Sequence, residues 1–260
     1  MLVRRQAREA SRTGRDGQER RLVRVTGAVT PVALAHERTL PASPGIAALL
    51  PDGGLRRGST ISVAGSTSLA LALAAGPSAA GSWCVAIGAP ALGLVAAEEL
   101  GVALERFPLV AAPAKAWARA VAAALEAFDV VLAWPARGVP TAEARRLAAL
   151  CRERGAVFVL CGPGWPERAD LRLEAVRSEW IGLERGHGRL RARRLEVVVG
   201  GRGAASAGRR LALWLPAADG GIAPAEPGAA AGSEAPGGDG READLAGAGP
   251  VIAAVASATG

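Results

Sequence analysis

Residues 60–73 read Thr-Ile-Ser-Val-Ala-Gly-Ser-Thr-Ser-Leu-Ala-Leu-Ala-Leu. A β-branched run, a glycine, consecutive hydroxyl side chains and an Ala/Leu run have the order of strand, turn and helix start around which nucleotide phosphates are held. A working loop has the form Gly-x-x-x-x-Gly-Lys-Ser/Thr, whose backbone N–H groups ring the phosphates while the lysine reaches them. Here the helical pattern begins almost directly after Gly65, and Lys115, the only lysine in the chain, lies far downstream. Gly65, Ser66, Thr67 and Ser68 therefore read as a vestigial nucleotide loop. Its hydroxyls and helix N-terminus could attract an anion, but a serine cap at any helix start is the plainer reading.

Arginine supplies the second constellation. Arg185, Arg189, Arg191, Arg193 and Arg194 cluster within ten residues, backed by Arg202, Arg209 and Arg210. Arginines at alternating strand positions share a face, and loop arginines reach phosphates, so the cluster is a candidate DNA-binding surface. A solvated hairpin face is the competing reading, because 30 of the 31 basic residues are arginine and tyrosine is absent. Such a bias belongs to a GC-rich genome as much as to chemistry. Trp165, Trp180 and Trp214 could stack bases or anchor a partner, with core packing as the alternative.

Other chemistries are poorly supplied. His36 and His187 lie in a connector and a glycine-flanked turn, with no nucleophile or acid at a recognisable spacing. Cys84, Cys151 and Cys161 all sit in apolar contexts without metal-ligand spacing, which reads as reduced core thiols in a cytoplasmic protein and no metal site. No cofactor is implied. The N-terminal stretch lacks the apolar core of an export signal, and the Ala-rich runs break well short of the ~20 residues that span a membrane.

The elements that must position these residues follow from composition. The chain has 260 residues, half of them apolar, and a net charge of +7. Residues 1–24 read as a flexible basic arm, 25–44 as a proline-containing connector, 45–216 as the folded domain, and 217–260 as an acidic Ala/Gly/Pro tail too poor in large apolar residues to fold. A basic body with an acidic tail suits a partner that carries phosphates, although two solvated tails would look the same.

Within the domain, buried-type strands at 60–64, 83–88, 129–134 and 156–161 alternate with helical patterns at 67–75 (ending before Gly76-Pro77), 92–100, 113–128 and 141–154. A short strand is expected at 108–112. Continuous apolar strands separated by helices predict an α/β fold: a mainly parallel sheet covered by helices on both faces. From residue 170 onward polar and apolar residues alternate, which predicts antiparallel strands at 170–182, 191–200 and 209–215.

This order resembles the ATPase core of the RecA recombinase family. The resemblance rests on Ala47-Ala-Leu-Leu-Pro-Asp-Gly-Gly-Leu-Arg-Arg-Gly-Ser-Thr as the family's lead-in to its first core strand, on Glu98-Glu-Leu-Gly-Val, on Arg154-Gly-Ala-Val-Phe-Val-Leu, and on Arg191-Ala-Arg-Arg-Leu-Glu-Val-Val-Val as its terminal hairpin. More narrowly, Gly58-Ser-Thr-Ile-Ser-Val-Ala-Gly-Ser-Thr-Ser-Leu and Gly186-His-Gly-Arg-Leu-Arg-Ala-Arg-Arg resemble the ImuA-prime family, RecA-like accessory proteins of actinobacterial mutasomes. That resemblance implies a role in SOS, damage-induced mutagenesis. Its implied partners are ImuB, a Y-family-like polymerase homologue without catalytic residues, and an error-prone replicative-type DNA polymerase. Self-association and a place near the nucleoid are compatible with it.

Against the RecA pattern, every catalytic position is apolar or small. The stretch matching the site of the water-orienting carboxylate is Gly88-Ala-Pro-Ala-Leu. The strand that should close on a magnesium-holding aspartate ends Ala133-Trp134-Pro135, and Asp129 stands at its start. Cys161-Gly162-Pro163-Gly164 replaces the nucleotide-sensing glutamine. The expectation is a non-catalytic RecA-like adaptor for translesion synthesis, not an enzyme. An ATP-binding recombination regulator and a stand-alone basic DNA-binding protein are the alternatives.

Overall fold

The computed structural model describes residues 38–225 apart from 90, 163, 164, 167, 185, 186 and 204–207. The arm at 1–24, most of the connector and residues 226–260 lie outside the described residues. The chain begins with β1 (Thr39–Leu40), α1 (Pro44–Ala47) and β2 (Leu55–Arg56), the two strands pairing antiparallel. The main sheet then starts with β3 (Thr60–Ala64), followed by α2 (Thr67–Ala79), β4 (Cys84–Ile87), α3 (Leu94–Glu99) and β5 (Leu109–Val110). Next come α4 (Trp117–Ala127), β6 (Val130–Ala133), α5 (Thr141–Arg154) and β7 (Val157–Cys161). The chain closes with β8 (Leu171–Glu184), β9 (His187–Gly201), β10 (Arg209–Trp214) and β11 (Ala223–Ala225).

Among the described residues, nine strands form one sheet in the order β11-β10-β9-β8-β3-β7-β6-β4-β5. From β8 to β5 all neighbours are parallel, and β9, β10 and β11 are added antiparallel. The expected α/β architecture is therefore present, with a large, mostly parallel sheet and antiparallel strands at its end. Parallel strands need both faces covered. One face carries α2, whose Leu69–Ala75 run packs with Ile61, Val63, Leu173 and Val197. The other carries α4 and α5, whose Val121, Leu125 and Leu147 pack with Phe158 and Leu160. This second core draws nothing from β3 or β8–β10 among the described residues, so that end of the sheet has one uncovered face.

Three features depart from the sequence expectation. Helix α2 does not stop before Gly76-Pro77 but runs to Ala79. Gly76 sits there because a Cβ would meet the Pro41 carbonyl oxygen at 2.7 Å and Ala42 Cα at 2.8 Å. Pro77 lies in the last turn, so the one i−4 hydrogen bond it removes has less than a turn of helix beyond it to disturb. The connector is also partly structured, since it contains β1 and the start of α1. At the other end, order continues past Pro216: β11 pairs with β10 through Ala212↔Ala225, and its Pro224 is tolerated because the strand is a sheet edge.

Strand starts and ends define two rims. At the amino rim, Asp129 accepts from Arg57 Nη1 at 3.0 Å and from the Trp83 amide at 3.1 Å, tying β6 to β4 and to the β2–β3 turn. Beside it, Asp170 Oδ2 accepts from the Thr60 amide and Thr60 Oγ1, each at 2.9 Å. The Asp170 amide donates back to Thr60 Oγ1 at 3.2 Å. This clamp aligns the first residues of β3 and β8. The long β8–β9 pair runs beyond the carboxyl rim: β3 accompanies β8 only to Glu174, whereas β8 and β9 stay paired to Glu184↔His187.

Candidate functional site

In open α/β sheets ligands sit outside the carboxyl ends of the strands, where the connections diverge to opposite faces. Here that place lies beside β3 and β7, because β3 leads into α2 on one face and β7 is entered from α5 on the other. The turn after β3 holds Gly65, Ser66, Thr67 and Ser68, the residues that the sequence offers as a vestigial nucleotide loop. Gly65 takes φ +79, and a Cβ there would stand 2.4 Å from the Ala175 carbonyl oxygen. The turn therefore lies flat against β8. Ser66 caps α2, its Oγ accepting from the Leu69 amide at 3.2 Å, and Ser66 Oγ and Ser68 Oγ are 3.0 Å apart. Thr67 is the exposed first residue of α2. The turn is thus a serine cap, as the plainer reading expected.

Arg193 closes the space above it. From β9 its Nη2 donates to Ser68 Oγ and, at 3.4 Å, to Ser66 Oγ, while Nε donates to the Leu215 carbonyl at 2.7 Å. The guanidinium lies 5.4 Å from the centroid of the Trp180 ring. Partial burial pulls the Arg193 pKa down, the direction expected of a cation taken from water. A cation at the positive end of α2 is unfavourable against the helix dipole. The carbonyl, the two hydroxyls and the aromatic face offset that.

The adjoining strand ends are filled as well. A Cβ on Gly88, after β4, would meet the Trp134 carbonyl oxygen at 2.5 Å and the Trp117 ring at 3.4 Å. Trp117 is buried, and its Nε1 has no hydrogen-bond partner among the described residues. At this part of the rim lie glycine backbone and indole rings.

The arginine cluster does not form one surface. Arg193 is held at the loop. Arg194 points to the opposite face of the sheet, is buried at 7% exposure, and pairs with Glu196 at 2.9 Å. The Arg194 hydrogen bond, helped by Arg177 and Arg210, holds the Glu196 carboxyl below the usual carboxylate range. Arg189 and Arg191 are exposed on the β8–β9 ribbon, where Trp180, Ile181 and Leu190 are exposed too. Arg185 lies outside the described residues. The backing arginines also have partners: Arg202 stands 3.9 Å from Asp170, Arg210 3.8 Å from Glu196, and Arg209 donates to the Ala48 carbonyl at 3.0 Å. Of the five candidates, Arg189 and Arg191 are the two with described side chains in solvent.

The tryptophans divide similarly. Trp165 packs edge-on against Phe158 at 5.6 Å, and Trp214 is half-buried. Cys84, Cys151 and Cys161 are buried and reduced. Burial, with some help from the Asp129 charge, pushes the Cys84 thiol up to about 12. Burial pushes Cys151 to about 12 and raises Cys161 too. Among the described residues no group of three or more His, Cys, Asp or Glu is placed to hold a metal ion, and no helix is long and apolar enough to cross a membrane. Sequence reasoning missed the Asp170–Thr60 clamp and the Arg193 plug. Both join residues more than a hundred positions apart.

Residues 48–167 match the family model described as the MT3502 N-terminal domain. That range takes in the parallel strands through β7 and the Gly65 turn, and ends before the strand that carries Arg193. Over 120 residues the chain is 32% identical to the uncharacterized protein Rv3395c of Mycobacterium tuberculosis (strain ATCC 25618 / H37Rv), a match covering 45% of this chain and 59% of that protein. The chain thus spans less than two thirds of that relative's length.

Proposed function

We propose that the chain is a non-catalytic adaptor built on a degenerate RecA-like core, of the ImuA-prime type. It would assemble a lesion-bypass complex in the cytoplasm during SOS, damage-induced mutagenesis. Its partners would be an ImuB-like inactive Y-family polymerase homologue and an error-prone replicative-type DNA polymerase. DNA contact would come from the exposed ribbon arginines. The observation that carries this reading is Arg193. Its guanidinium is seated on Ser66 and Ser68, at the turn that this reading takes as a vestigial nucleotide loop. A scaffold kept while its phosphate loop is closed by its own side chain has its use on outer surfaces.

Titration of the purified chain with magnesium-ATP is the first test, and no saturable binding is expected at millimolar nucleotide. A micromolar dissociation constant would overturn the reading. Mixing with a purified ImuB homologue is the second, with a co-eluting complex expected on size exclusion after nuclease treatment. Separate elution would remove the adaptor role.

A further inference from the structure

The amino rim holds a recess unlike the filled carboxyl rim. Arg145 and Arg152 stand two turns apart on α5, Arg168 comes from the β7–β8 connection, and Arg202 follows β9. With Trp165 and Asp170 they line a pocket of about 300 Å³. All four arginines are exposed. Among the described residues Asp170 is the one carboxylate in the lining, and it is occupied: its Oδ2 accepts twice from Thr60 and its Oδ1 faces Arg202 at 3.9 Å. Neither Arg152 nor Arg168 has a carboxylate within ion-pairing distance among the described residues.

Arg152 and Arg168, brought together from two separate segments, repel one another unless an anion joins them, whereas Arg202 already faces Asp170 and Arg145 has an interaction of its own. Guanidinium forks match phosphate oxygens two at a time. One wall is an indole, Trp165, fixed edge-on by the buried Phe158 ring. A phosphate-binding arginine set beside an aromatic wall is the arrangement that takes a phosphate with its base. A neighbouring pocket of about 310 Å³ shares Asp170 and Arg202 but is lined by Asp52, Leu50 and Leu55 as well. The anion therefore belongs with Arg152 and Arg168.

We propose that the amino-rim pocket formed by Arg145, Arg152, Arg168, Arg202 and Trp165 is a binding site for the phosphate of a nucleotide unit, on the rim opposite the closed loop. The source is either the phosphodiester of a single strand or the terminal phosphate of a free nucleotide. The site does not depend on the adaptor reading, since neither the Gly65 turn nor any polymerase partner enters it.

The test uses the full chain and a fluorescently labelled single-stranded oligonucleotide, read by anisotropy across a salt series. Arg152→Ala with Arg168→Ala should weaken binding by at least about tenfold at low salt. It should also flatten the log–log salt slope by about 1.4, two phosphate contacts at about 0.7 each. Both side chains are exposed, so the melting curve should not move. Arg119→Ala with Arg137→Ala removes the same charge elsewhere and should leave affinity within about twofold. Competition with a deoxynucleoside monophosphate separates the sources: displacement assigns the site to a terminal phosphate, and its failure, with the oligonucleotide still bound, to the diester. Unchanged affinity and slope in the Arg152/Arg168 variant, or an equal loss in the Arg119/Arg137 control, would overturn the proposal.

Discussion

The two rims of the sheet are built from similar materials and end up opposite in character. At the carboxyl rim Arg193 is turned inward, its guanidinium divided among Leu215, Ser66, Ser68 and the Trp180 ring. At the amino rim Arg145, Arg152, Arg168 and Arg202 converge on a recess whose one described carboxylate is already engaged. The first rim is where this fold class ordinarily takes ligands, and it is sealed by close backbone approach at Gly65 and Gly88. On the reading proposed above, the difference teaches that closing a phosphate site would be a constructive change. The amides at a helix start need a cap and the volume above them needs contacts, and here a serine and a guanidinium supply both.

The largest expected effect tests whether the carboxyl rim is sealed by the backbone itself. Gly65→Ala puts a Cβ 2.4 Å from the Ala175 carbonyl oxygen at a φ that disfavours it, and should cost about 3 kcal/mol in urea unfolding. A loss under about 0.5 kcal/mol would mean that the turn can lift away from β8 and that the rims differ less than argued.

Arg193→Ala should be milder, about 1–2 kcal/mol, for the hydrogen bonds and ring contact removed. Arg193→Lys should recover under half of that, because one ammonium cannot serve the Leu215 carbonyl and both serines in the same geometry. If Arg193→Ala acquired magnesium-ATP binding, one side chain rather than the backbone would be keeping this rim shut. The smallest effect is expected at the other rim. Asp170→Asn should cost about 1 kcal/mol through the Thr60 clamp while raising oligonucleotide affinity, since the recess loses its negative charge. A fall in both quantities would break the contrast between a filled rim and a receptive one.

Much of the architecture was legible because it rests on short-range signals. The apolar runs at 84–87, 130–133 and 157–161 could only be buried strands, and Gly155, at φ +69, ended α5 where the pattern placed the stop. Two local signals misled. Gly76-Pro77 carried the mark of a helix end, yet the glycine answers to Pro41 and Ala42, far outside the helix. Ala-Pro-Ala at 223–225 looked like tail composition, yet a sheet edge accepts it. The serine cap after Gly65 was readable, whereas the guanidinium that sits on it was not. Arg193 and Arg194 are neighbours in a charged run, and only the pleat sends one to the serines and the other to Glu196. No spacing rule joins Thr60 to Asp170 or Arg152 to Arg202.

The Thr60–Asp170 clamp also bears on the order of events in the cell. Strand β3 lies in the middle of the sheet, but its partners β7 and β8 begin at Val157 and Leu171. As the chain emerges from the ribosome, β3 is made early and waits with both edges bare until nearly a hundred more residues have followed. Contacts so distant in sequence close late and slowly. The nascent Thr-Ile-Ser-Val-Ala segment is then a strand without neighbours, open to pairing with another chain. A ribosome stalled before β8 would release a product with its central strand half unpaired. Folding yield should therefore depend on completing residues 171–174 more sharply than on any later part of the chain.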